Sequence, residues 1–216
     1  MSGSAATISS AHTYGYSISP ERGATIGMTA ELVQHALGSS GDANAVTVDA
    51  RAYLPGLEPH HVLAIRAAGG ASNGDRDLRR SFNLGGALSN LTTFDFGREA
   101  ISLLRGFPAD TFAGTRVALV NADYRWPIAR PQRGLGTWPV FLQTLHAAIF
   151  ADAGHAWTRT FSARNVKTSA GAELSLGFVA AYALPFTASV GGAWGHDGSH
   201  TIADRATVYF RLGHAF

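Results

Sequence analysis

Period-two alternation runs through most of this chain, and it constrains the fold more than any other feature of the sequence. From Ala24 to Leu32, the residues Ala24, Ile26, Met28, Ala30 and Leu32 alternate with Thr25, Gly27, Thr29 and Glu31. The same pattern recurs over Val46–Leu54, Leu174–Leu184 and Phe186–Trp194, and in each run one face carries no charge. A repeat of 180° per residue is that of a half-buried strand, whereas a helix would repeat near 100°. The pattern predicts nine strands, at 11–19, 23–35, 44–54, 60–69, 115–126, 140–153, 170–184, 186–196 and 204–216. Compact proline-bearing turns are expected at Pro20-Glu21-Arg22, Pro55–Pro59 and Leu184-Pro185. The segments 70–114, 154–169 and 197–203 read as polar, glycine-bearing loops at the opposite end. Short turns at one end and long loops at the other are the layout of an antiparallel transmembrane β-barrel, although 127–139 is long for the short-turn end. Aromatics near strand ends (Tyr53, Trp126, Trp138, Tyr182, Trp194) suit an interfacial girdle, but a soluble all-β sandwich would share both the alternation and the aromatics.

Composition narrows the choice. Only 15% of the 216 residues are charged, against about 25% in ordinary soluble domains. Mean hydropathy is nevertheless only +0.05, and no apolar run approaches the roughly 18 residues of a spanning helix. Strands with lipid-facing apolar and lumen-facing polar residues reconcile the two values, because the faces cancel. The chain has no cysteine, which removes thiol catalysis and cysteine metal sites. Its net charge of +2 is dispersed, so no nucleic-acid partner is expected. The first residues show neither a basic nor an apolar signal region, so targeting of an exported protein would have to come from upstream.

No cofactor, metal or covalent chemistry is expected. His196 and His200 flank a turn, and His60 and His61 should point to opposite faces, so neither pair converges as metal ligands. His146, Glu173 and Ser175 should share the lumen face, where a hydrogen-bonded network is the ordinary reading of such a set.

The long segment from Gly70 to Gly114 exceeds hairpin needs, and loops beyond about 12–15 residues are usually functional or disordered. It contains Leu104-Arg105-Gly106-Phe107-Pro108. Asn121-Ala122-Asp123-Tyr124-Arg125 follows on the next strand, and Phe150-Ala151-Asp152-Ala153-Gly154 on the one after. By alternation Phe150, Asp152 and Gly154 face the lumen. In the last strand Val208, Phe210, Leu212 and the terminal Phe216 form an apolar face, with His214 where an aromatic would be typical of an outer-membrane assembly signal.

This ordered set resembles the BamA/TamA outer-membrane assembly-factor superfamily, the bacterial surface-antigen group that includes two-partner secretion transporters. The resemblance spans residues 1–216 and implies the last nine strands of a sixteen-stranded barrel, with the family's first strands and periplasmic repeats absent. It further implies that the loop folds into the barrel, with Arg105 paired to Asp152 and with Asp123 as a second acceptor. Gly106 would make the tight turn, and Phe107 would pack near Phe150. The implied location is the bacterial outer membrane. The implied partners are the lipid bilayer and client outer-membrane or secreted β-proteins, with assembly-machine lipoproteins as a further class. The implied activity is non-covalent: insertion or secretion of β-rich proteins, for which residues 206–216 would offer a strand edge. A passive pore or autotransporter-like translocator is the alternative.

Overall fold

The computed structural model describes residues 2–12, 19–35, 39–86 and 103–214. Its elements are β1 (Ser2–Ser9), β2 (Gly23–Val33), β3 (Ala43–Pro55), β4 (Val62–Gly74), β5 (Phe82–Leu84), β6 (Phe112–Gly114), β7 (Arg116–Ala129), β8 (Arg133–Gly134), β9 (Val140–Trp157), β10 (Lys167–Ala180), β11 (Leu184–Asp197) and β12 (Arg205–His214). Nine of these strands form one antiparallel path, β1-β2-β3-β4-β7-β9-β10-β11-β12, with β8 paired to β9 beside it. β5 and β6 make a separate two-stranded ribbon within the long connection. Along the path β1 and β12 are the edges, each with one neighbour.

The all-β class and the large antiparallel sheet are as the alternation predicts, but several boundaries differ. The first described strand is Ser2–Ser9, paired to β2 from Ser2↔Leu32 to Ser9↔Thr25, whereas the strand expected at 11–19 lies mostly outside the described residues. Ser-Gly-Ser-Ala-Ala-Thr-Ile-Ser lacks the large alternating side chains that mark a strand, so it is the ladder with β2 that selects it. Pairing continues to His12↔Arg22, so Arg22 belongs to the ladder. At the other hairpin the turn occupies Ala181–Ala183, where Ala181 and Tyr182 take φ of 49° and 63°. Leu184 and Pro185 are already in β11, near whose start a proline is tolerated. The connection after β7 is partly strand, since β8 folds back on Phe141 and Leu142. β4, β9 and β10 extend well into the segments read as loops.

The two faces of the sheet are chemically opposite. One face exposes Ile26, Met28, Val48, Val120, Ile149, Leu174, Val190, Trp194, Val208 and Phe210. The other face buries Thr47, Asn121, Asp152, Lys167, Ser169, Glu173, Ser175 and Ser189. A sheet that packed its apolar side against a core would show the reverse. The described parts of the long connection lie across the polar face. There Phe82, Leu84, Leu104 and Phe107 from the connection join Ala68, Val117 and Leu119 from the sheet in a small apolar cluster. Gly70 and Gly154 make room for it. A Cβ at Gly70 would lie 2.8 Å from the Phe82 ring, and one at Gly154 would lie 2.9 Å from Leu84.

Candidate functional site: a loop clasp on the polar face

The segment Leu103–Phe107 touches five strands, β7, β9, β10, β11 and β12. Alternation in β9 turns Phe150, Asp152 and Gly154 to the polar face, all three buried, and β7 contributes Asn121, Asp123 and Arg125 from the same side. Cα pairing sets Asn121 opposite Asp152 and Asp123 opposite Phe150, so both carboxylates converge on one spot.

Arg105 fills that spot and is only 3% exposed. Its Nε donates to Asp152 Oδ2 at 2.9 Å and its Nη2 to Asp152 Oδ1 at 2.6 Å, a two-toothed arrangement that suits a planar guanidinium. The Arg105 backbone N–H adds a third bond to Asp152 Oδ2 at 3.1 Å. Nη2 also donates to Asp123 Oδ1 at 2.7 Å, while Arg125 donates to the other oxygen of Asp123 at 2.8 Å. The guanidinium carbon lies 3.6 Å from the centre of the Phe150 ring, within cation–π range. Two guanidiniums therefore face two carboxylates, and the cluster is neutral. That balance is what allows the Asp152 side chain to be fully buried as an ion.

Two further contacts hold the loop. Asn121 Nδ2 donates to Asp152 Oδ1 at 2.8 Å and to the Leu103 carbonyl at 3.1 Å. Gly106 has φ of +90°, and a Cβ there would lie 3.1 Å from the Gly195 nitrogen, so both conformation and space call for glycine. Phe107 is 2% exposed. It meets Phe112 edge-on at 5.3 Å and lies over Gly195, because Arg105 already occupies the face of Phe150.

No protein-family model and no curated protein matches the chain.

The geometry thus brings together Arg105, Gly106, Asp123, Phe150 and Asp152 in one cluster, with Phe107 and Gly154 at its border against the apolar packing. Val208, Phe210 and Leu212 lie on the exposed apolar face, at 81%, 62% and 47% exposure. Phe216 lies outside the described residues. Sequence reasoning had Asn121 in its motif but gave it no role, and it did not single out Ser169, Gly171 or Gly195 for this cluster. The available signal was glycine on the polar face of a strand. A Cβ at Gly171 would lie 2.6 Å from the Phe150 ring, and one at Gly195 would lie 2.7 Å from the Gly106 oxygen.

Several other polar groups make hydrogen bonds of their own. Ser175 Oγ bonds Glu173 at 3.1 Å and Ser189 Oγ at 2.7 Å. His61 meets the Tyr124 hydroxyl at 2.9 Å, and His196 meets Asp204 at 2.8 Å. Among the described residues no three histidine or acidic side chains gather as a metal site.

Proposed function

We propose that this chain is the C-terminal part of an outer-membrane β-barrel of the assembly-factor type, a relative of the BamA/TamA superfamily. It would aid the insertion of outer-membrane proteins or the secretion of β-rich partners. The observation that carries this reading is the Arg105 clasp, in which Leu103–Phe107 crosses a polar sheet face and plants an arginine between two strand carboxylates. The exposed apolar face supports a lipid surrounding, because in water so many exposed large apolar side chains would favour aggregation. Strands of 13–18 residues at β3, β4, β7, β9, β10 and β11 exceed the roughly 9–11 residues that a tilted strand needs to cross a bilayer. In this reading the work is exchange of strand hydrogen bonds at a sheet edge, with no covalent step.

The test is client folding into lipid vesicles that carry this chain. Faster folding of an unrelated outer-membrane barrel, lost in Arg105→Ala, is the expected result. Large, steady conductance in a planar bilayer with no effect on client folding would instead identify a passive pore.

A further inference from the structure

We propose that the edge strand β12 is latched to the polar face at two separate points, one of them on the Arg105 loop, so that the loop and the strand edge are mechanically coupled. This deepens the assembly-factor reading and rests on it for its biological role.

An edge strand ordinarily depends on a single backbone ladder, and β12 has only its ladder to β11. Its inward side chains add contacts that pass over β11 to elements further in. At the loop end, Thr207 Oγ1 donates to the Gly106 carbonyl at 3.2 Å, next to the buried Arg105. Gly106 itself sits against Ser169 of β10 and against Ala193 and Gly195 of β11. A chain of contacts therefore runs from Asp152 through Arg105 and Gly106 to the outermost strand.

The second latch lies further along β12. Tyr209 donates its hydroxyl to Glu173 Oε2 at 2.9 Å, and Arg211 pairs with Glu173 Oε1. Glu173 belongs to β10, so both side chains must reach over β11. They can do so because position 191 is glycine: a Cβ there would lie 2.5 Å from the Tyr209 ring. Cα pairing places Glu173 opposite Gly191 and Gly191 opposite Tyr209, so the three residues form one straight row. Ser175 fixes the carboxylate from the side at 3.1 Å. Tyr209 and Arg211 thus share one buried acceptor, and Glu173 is the common point of this latch.

The latches divide β12 into two parts, and hydrogen exchange reads them separately. The full chain is folded in detergent micelles with no client present, and amide exchange is followed strand by strand. Thr207→Val should speed exchange of residues 205–208 roughly fivefold, as loss of one neutral hydrogen bond predicts, and leave 209–213 unchanged. Glu173→Ala should speed 209–213 by about tenfold or more, because charge-assisted bonds are lost, and leave 205–208 unchanged. If Glu173→Ala does not fold, Tyr209→Phe removes a single hydroxyl and should speed 209–213 roughly fivefold. By reciprocity, Thr207→Val should also speed exchange at 103–107. Unchanged exchange in β12, or acceleration of every strand together, would overturn the latch. Because no client is present, this result stands apart from the folding assay. A confirmed latch without client folding would refute the assembly role alone.

Discussion

Asp152 accepts hydrogen bonds from three atoms of Arg105 and one of Asn121, with none of its own side chain exposed. Removing Arg105 would leave that carboxylate buried without its counter-ion, a situation that costs about 3–5 kcal/mol. Arg105→Ala is therefore expected to lower the temperature at which heat-modifiable gel mobility is lost, and to expose the loop to protease. Arg105→Lys keeps the charge but has a single point donor, so it should fall between the two. Wild-type mobility and wild-type protease resistance in Arg105→Ala would refute the clasp. At this scale the sequence was informative about chemistry and poor about neighbours. Alternation placed Asp123, Phe150 and Asp152 on one face, since the side-chain period of a strand is fixed. It could not say that Phe107 turns to Phe112, because that choice depends on how the loop crosses the sheet.

At the scale of elements, the exposed apolar face and the buried polar face make opposite demands on a substitution. Val190 on β11 is 49% exposed and lies between strands on both sides. In a soluble sheet Val190→Arg would be nearly neutral. With that face in lipid it should cost about 2–4 kcal/mol at mid-membrane depth. Urea titration of folding into vesicles checks this, and a change below about 0.5 kcal/mol would favour a water-facing surface. The central strands were legible because β3, β7, β9, β10 and β11 alternate large apolar with polar residues. β1 was not, because its small side chains carry almost no pattern and only its partner defines it. The turn at Ala181–Ala183 was hidden for a related reason. Pro185 is the stronger punctuation mark in sequence, whereas positive φ at Ala181 and Tyr182 leaves no mark in composition.

At the scale of the whole molecule, two sheet edges are left without partners among the described residues. In isolation such edges invite pairing with another chain. Sedimentation of the chain in micelles should therefore show association that grows with the protein-to-detergent ratio, and a strict monomer throughout would count against open edges.

The nine-strand path carries a parity. Each strand on it runs opposite to its neighbour, so the first and ninth, β1 and β12, point the same way. Zipping them directly together would require a parallel seam. A second copy in the same membrane orientation does not help, because it offers β12 to β1 with the same clash of direction. A ring built wholly from antiparallel neighbours must hold an even number of strands. Closing the nine described strands into such a ring would therefore take an odd number of further strands.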